Sequence, residues 1–475
     1  MLFQCAVILF LCLNCSANEN KEPKTDDYIR REGYPVEKHS VWTQDGFRLT
    51  LFRIPGSEGS TPIYLQHGLV DSSDSWFAMG RNHSLGFLLA DEGFDVWAGN
   101  FRGNCYSRKH RSLSSTCAEY WDFSWDDLAE YDVRAMIDYI LETTRQERLI
   151  HVGHSMGTTS FFVAASMYPE VNDKVICHLA LAPITSFEYS RSPIFSASFI
   201  EPLIQTLQAY DEKNPDQEDR GDDDCDSDDD DSLMSQVAET AVQVVPALAS
   251  FSTVLESMKS FVPPVSLSAA DYSKIITSGL NSIRGTINDF TGLGYITKMV
   301  RLALDHGELR GSLARKYCKT SYVHELTCLR AMSVAAGDDE HNLTRELMDL
   351  MFTTTPKSSS LKEVKHYLQQ KKAGRVFLYD YRSEEENMAR YGTSVPPEVD
   401  FGSITVPVYF IYGKNDLFTS EKDVQASYEK LGNPAGIFSV KRPDWNHLDF
   451  LITQDLSPTL QPEIVLKIVK EYKGY

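Results

Sequence analysis

The chain has 475 residues, with 67 Asp and Glu against 46 Lys and Arg, a formal net charge of −21 and 42% hydrophobic residues. This composition excludes disorder for the bulk of the chain and leaves room for one large α/β domain with insertions, or for two to three smaller ones. An acidic chain without a basic stripe also argues against nucleic acid as a partner, because phosphate binding needs clustered Lys and Arg to release counterions.

Residues 1–17 read as a secretory signal peptide. No charged residue precedes Glu19, the run from Cys5 to Leu13 is apolar throughout, and the small residues Ser16 and Ala17 follow it. The run is shorter than the ~18 to 20 residues a transmembrane helix needs, and no later segment qualifies as one. Cleavage after Ala17 removes Cys5, Cys12 and Cys15, leaving six of nine cysteines in an oxidising compartment. The sequons at Asn82 and Asn342 fit a glycoprotein of the lysosome or the exterior.

From Phe47 to Leu65 the pattern predicts two short strands separated by Pro55-Gly56, the second being Ile63-Tyr64-Leu65. Phe94 to Trp97 predicts a strand, and residues 126–144 a helix with Val133, Ile137, Ile140 and Leu141 on one face and a capping box from Ser124 to Asp127. A strand at Leu149 to Val152, a helix from Thr158 to Tyr168 stopped by Pro169, and a buried strand from Val175 to Ala182 continue the series. This β-α-β-α rhythm implies a mostly parallel sheet covered on both faces.

The rhythm breaks near Pro183 and returns at a central strand, Val406 to Tyr412, followed by another at Ile437 to Val440. The organisation expected is a core in two parts, 18–185 and 376–475, with a large, mainly helical cap at 186–375. Such an insertion would lie over the carboxyl ends of the strands, where open α/β sheets bind ligands. Within it, residues 211–231 carry thirteen Asp and Glu against Lys213 and Arg220. Charge this dense reads as a solvated loop. A calcium loop fits less well, since Ser227 stands where a tight-turn Gly is wanted and Leu233 where a bidentate Glu should close the loop. The stretches Val237 to Leu267 and Thr286 to Leu304 have helical spacing of Val, Ala, Leu and Ser, suited to the core or to an apolar substrate or lipid surface.

Gly153-His154-Ser155-Met156-Gly157 falls directly after a predicted strand and directly before a predicted helix. A nucleophile elbow needs its glycines because the turn is too tight for flanking side chains, and it holds the serine hydroxyl over the sheet at a helix N-terminus. A serine needs a base, and the base needs an acid to fix its tautomer, in the chain order Ser, acid, His. His447 is the base by this order, and Asp416, just past the strand ending at Tyr412, is the acid, with Asp444 and Asp449 as rivals by proximity to His447. Two backbone N–H groups are needed for the oxyanion: that of Met156, after the serine, and that of Leu69, in the loop His67-Gly68-Leu69.

The chain resembles the acid lipases, which include lysosomal acid lipase, the gastric and lingual lipases and invertebrate relatives. The matching stretches are residues 64–69 with Asp71-Ser72-Ser73 and Trp76, Ser84 to Phe87, Gly93 to Trp97 with Gly99-Asn100, Arg102-Gly103-Asn104, Tyr106 to His110, Gly153 to Thr159, and Trp445 to Phe450. The resemblance implies the α/β-hydrolase fold, Ser155, Asp416 and His447 at the triad positions, and Leu69 and Met156 at the oxyanion positions. It also implies hydrolysis of triacylglycerols and, in some members, cholesteryl esters. The family usually has Gln where this chain has Met156, and its cap is shorter. Cys318 and Cys328 fall where the family has closely spaced cap cysteines, so a disulfide is expected there, and Cys105 with Cys117, twelve apart, is a second candidate pair.

The reading is a serine lipase or ester hydrolase of neutral lipids, working at a lipid droplet or emulsion interface without metal or organic cofactor. A catalytically silent lipid-binding or storage protein and an esterase for small soluble esters are the alternatives.

Overall fold

The computed structural model describes residues 23–115, 117–192, 336–337, 344–453 and 461–474. The signal peptide, the acidic run 211–231, the stretches 237–267 and 286–304, Cys318, Cys328 and Asn342 lie outside these residues.

Among the described residues nine strands form one sheet: β1 (Glu37–Trp42), β2 (Phe47–Ile54), β3 (Pro62–Gln66), β4 (Asp95–Asn100), β5 (Lys109–His110), β6 (Leu149–His154), β7 (Val175–Leu181), β8 (Val408–Tyr412) and β9 (Pro434–Ser439). The spatial order is β1-β2-β4-β3-β6-β7-β8-β9, with β5 pairing to β2. The pairs β1/β2, β2/β4 and β2/β5 are antiparallel, and every pair from β4/β3 to β8/β9 is parallel. All residues of β3, β4, β6, β7 and β8 are buried, which is the signature of strands covered on both faces. With its order and connections this is the α/β-hydrolase fold expected from the sequence.

The two strands predicted around Pro55-Gly56 are β2 and β3, and β4 lies between them in the sheet. β1 went unpredicted: it is an edge strand whose single buried residue is Val41, so its apolar signal is small. The helix expected at 126–144 begins at Trp125, winds as a π-helix over Leu128–Val133 and continues as Arg134–Thr144. Its predicted capping box forms, with the Asp127 carboxylate 2.8 Å from the Ser124 N–H. The helix Met156–Met167 is buried on all sides from Met156 to Ala165, so it has no polar face to mark its period.

Further along, helices occupy Arg345–Thr354 and Leu361–Ala373. The second carries His366, which stacks on Trp125 at 3.6 Å between ring centroids and bonds Ser124 Oγ and the Phe377 carbonyl.

One sequence expectation fails here. Cys105 and Cys117 are not joined by a disulfide. Cys105 lies in a turn closed by the Gly103 N–H on the Ser107 carbonyl, and Cys117 precedes a separate 3₁₀ turn, Ala118–Trp121. Between them β5 is paired to β2, which fixes this segment to the sheet without a bridge.

Candidate active site

The carboxyl ends of β3, β6, β8 and β9 bring four segments together. In the register, Gln66 at the end of β3 lies opposite Gly153 of β6, so the loop after β3 runs beside the turn after β6. Ser155 stands on that turn with φ 53° and ψ −119°, a conformation seldom adopted by a residue with a side chain. The turn is held open by its glycines. A Cβ on Gly157 would lie 2.5 Å from the Gln66 carbonyl oxygen, and one on Gly153 would lie 2.7 Å from the Gly157 carbonyl oxygen. Backbone groups cannot swing aside as side chains do, so a larger residue at either position would force the backbone to shift.

The Ser155 N–H donates to the Leu181 carbonyl at 3.0 Å, which ties the turn to β7. The hydroxyl lies 2.9 Å from His447 Nε2, and His447 Nδ1 lies 2.7 Å from Asp416 Oδ2. In the neutral tautomer the Nδ1–H donates to Asp416, and Nε2 accepts from the serine hydroxyl. The second Asp416 oxygen accepts from the N–H groups of Phe418 (2.8 Å) and Thr419 (2.9 Å), so the carboxylate is held from both sides and buried. The rivals bind elsewhere. Asp449 accepts from the Asn446 N–H at 2.7 Å, and Asp444 pairs with Arg442 at 2.6 Å.

Met156 opens the helix after Ser155 and is buried. Leu69 is half-buried in the turn after β3. Its neighbour Gly68 packs so closely that a Cβ there would meet Ser155 Cβ at 2.9 Å. Of the other sequence candidates, Asn82 is exposed, while its sequon partner Ser84 is buried.

Two histidines adjoining the motif residues have structural work that spacing alone did not reveal. His67 donates from Nδ1 to the Gly68 carbonyl at 2.8 Å, and its Nε2 accepts from the Phe101 N–H at 3.1 Å and the Asn104 amide at 3.2 Å. Burial pushes its pKa down to about 4, so it is a neutral strut behind the Gly68 turn. His154 donates from Nε2 to the His447 carbonyl at 3.0 Å, and burial, reinforced by His447, holds it well below the ordinary imidazole range. Asp71, two residues past Leu69, accepts from the Ser72 N–H, Ser75 Oγ and Thr355 Oγ1, and burial raises its pKa to about 7. The adjacent Val70 carbonyl accepts from the Lys357 N–H at 2.7 Å.

Comparison with known proteins agrees with this architecture. The family described as "alpha/beta hydrolase fold" matches residues 61–206, and that described as "Partial alpha/beta-hydrolase lipase region" matches residues 25–80. Lipase 1 of Drosophila melanogaster is 31% identical over 449 residues, covering 94% of this chain and 80% of that protein. Human Lipase member K is 28% identical, covering 96% of this chain and 93% of its own length. Rat gastric triacylglycerol lipase is 28% identical, with 92% of this chain and 90% of that protein covered. By this similarity along almost its whole length, the chain belongs to the acid lipase family of α/β-hydrolases and is a carboxylic ester hydrolase.

Proposed function

We propose that the protein hydrolyses neutral lipid esters, triacylglycerols and sterol esters among them, through an acyl-enzyme on Ser155. The observation that carries the reading is the continuous relay from Ser155 Oγ to His447 Nε2 at 2.9 Å and from His447 Nδ1 to Asp416 at 2.7 Å. Ser155 Oγ attacks the ester carbonyl carbon as its proton passes to His447 Nε2, and Asp416 stabilises the imidazolium and fixes its orientation. The N–H groups of Leu69 and Met156 receive the tetrahedral oxyanion. His447 then gives the proton to the departing alcohol. Water, deprotonated by the same histidine, attacks the acyl-serine and releases a fatty acid.

The relatives named as lipases, gastric triacylglycerol lipase in particular, support a lipid ester as substrate. The residues 186–375 are inferred to form a cap over the acyl site, with 18–185 and 376–475 as the core and the acidic stretch 211–231 as a solvated loop. The signal-peptide pattern at 1–17 and the sequons at Asn82 and Asn342 support passage through the secretory pathway, and the Cys318–Cys328 pair is inferred to be bridged there. Among the described residues no helix is long and apolar enough to cross a membrane.

The test is turnover of emulsified triacylglycerol, cholesteryl ester and a short-chain soluble ester by the wild type and by Ser155→Ala, from pH 4.5 to 8. Higher kcat/KM on long-chain esters than on acetate is expected, since binding of the remote chain is used to reach the transition state. Preference for acetate with no response to an interface would favour a small-ester esterase. No turnover of any ester would overturn the reading.

A further inference from the structure

Two stretches of chain that belong neither to β8 nor to the helix after it, Glu421–Tyr428, meet the loop carrying Asp416. The first leaves β7. Its Arg191 and Ser192 N–H groups donate to the Leu417 carbonyl at 2.8 and 2.7 Å, and Ser190 Oγ adds a third donor at 3.1 Å. The same stretch is also fastened six residues past Leu417, where buried Asp423 accepts from Ser186 Oγ and from the Tyr189 N–H. The second stretch is Ala336-Gly337, whose Ala336 carbonyl accepts the Leu417 N–H at 3.2 Å. Both backbone polar groups of the residue next to Asp416 are therefore satisfied from outside the loop.

Gly337 occupies the seam between the acid loop and the base loop. It has φ 133°, and a Cβ there would lie 2.2 Å from the Asn415 carbonyl oxygen and 2.8 Å from Asn446 Cβ. Asn415 precedes Asp416, and Asn446 precedes His447. The two loops are themselves in contact, through the Asn415 N–H on the Trp445 carbonyl (3.2 Å) and the Asn415 amide on the Asp444 carbonyl (3.0 Å). The Asn446 amide reaches the Gly337 carbonyl at 3.4 Å. A bare backbone unit thus lies against both the residue before Asp416 and the residue before His447.

We propose that Gly337, together with the Leu417 backbone, is a positioning element for the reaction: it sets the spacing between the Asp416 and His447 loops. The inference rests on the triad reading above. Its physical basis is that displacing a reacting group by about 1 Å costs on the order of 10²-fold in rate, and the contact given above leaves no room for even a methyl group.

The experiment compares Gly337→Ala with Gly392→Ala, using the full chain and a short soluble ester. Gly392 also has positive φ (73°), but a Cβ there meets nothing within 4 Å, so this variant carries backbone strain far from the relay. Gly337→Ala is expected to lose on the order of 10²-fold in kcat with KM within about two-fold. Its rate of covalent labelling by a small fluorophosphonate, which reads activation of Ser155 without an acyl-binding site, should fall in the same proportion. Gly392→Ala should match the wild type in both. A folded Gly337→Ala with wild-type kcat and labelling, or with a loss confined to KM, would overturn the proposal.

If Gly337→Ala does not fold, Ser190→Ala decides, since it removes one of three donors to the Leu417 carbonyl. A few-fold loss in kcat and labelling together supports the proposal, and no change in either refutes it. Should Ser155→Ala keep turning over ester or taking label, the triad reading itself fails and this inference falls with it, whereas a silent Ser155→Ala beside an unaffected Gly337→Ala removes only the inference.

Discussion

Ser155 stands on a turn built by adjacent parallel strands and by backbone contact: β6 ends, Gly153 and Gly157 lie against carbonyl oxygens, and Gly68 of the next loop touches the serine. Asp416 and His447 stand on longer loops after β8 and β9, and β9 is only partly covered. Their placement depends on side-chain bonds and on chain that comes from elsewhere, including Leu417's partners, Gly337 and the His154 strut. The Ser155 side is thus fixed by backbone sterics between adjacent parallel strands, while the side of Asp416 and His447 is fixed by side-chain bonds and by chain that joins from elsewhere. Substitutions on the first side should act through the fold or abolish chemistry outright. Those on the second should lower rate in a folded protein.

The largest effect expected is that of Ser155→Ala, a loss on the order of 10⁶-fold in kcat with the thermal midpoint unchanged, measured on a soluble ester. Asp416→Asn should cost about 10⁴-fold, because the amide stabilises the wrong imidazole tautomer while leaving the geometry in place. A drop of less than ten-fold would mean that another carboxylate serves His447.

Gly157→Ala tests the sterics of the nucleophile side. The added methyl meets two backbone oxygens, those of Gln66 at 2.5 Å and His67 at 2.8 Å, so destabilisation of about 1–3 kcal/mol is expected, read as a shift of the urea midpoint. An unshifted midpoint would show that the β3 and β6 turns can separate.

A further effect concerns pH. Folding raises the Asp71 pKa to about 7, above its ordinary value of 3.8, so the folded state holds a proton there that the unfolded chain releases. This contribution is fully present below pH 4 and is lost as pH rises through 7. His67 works in the opposite sense: its folded value of about 4 lies below the ordinary 6.5, so its contribution is lost as pH falls from 6.5 toward 4. In Asp71→Asn the offset disappears. Between pH 7 and pH 5 the variant should lose about 2 kcal/mol relative to the wild type, seen as urea midpoints that diverge on acidification. Parallel midpoints would show that Asp71 is ionised in the folded state.

How much of this was legible in the sequence follows the same division. The elbow could be read because its determinants are contiguous: a buried strand, two glycines around a serine, and a helix. Asp416 and His447 could be placed from chain order and from the strand ends they follow. Gly337 could not, since the groups that require a glycine there are on Asn415 and Asn446, far along the chain. The reason for His154 is likewise a carbonyl 293 residues away. β1 escaped because only Val41 of its six residues is buried, and the spacing of Cys105 and Cys117 misled because the segment between them is held to β2 by β5 pairing and needs no bridge.

The central claim is that a covalent acyl-enzyme forms on Ser155. Rapid acid quench during turnover of a long-chain nitrophenyl ester, followed by peptide mass spectrometry, measures it directly. The expected result is the acyl mass on the peptide containing Ser155 in the wild type, with accumulation lost in His447→Ala and absent in Ser155→Ala. Turnover with no acyl mass on Ser155, or with the acyl mass on another residue, would contradict the account.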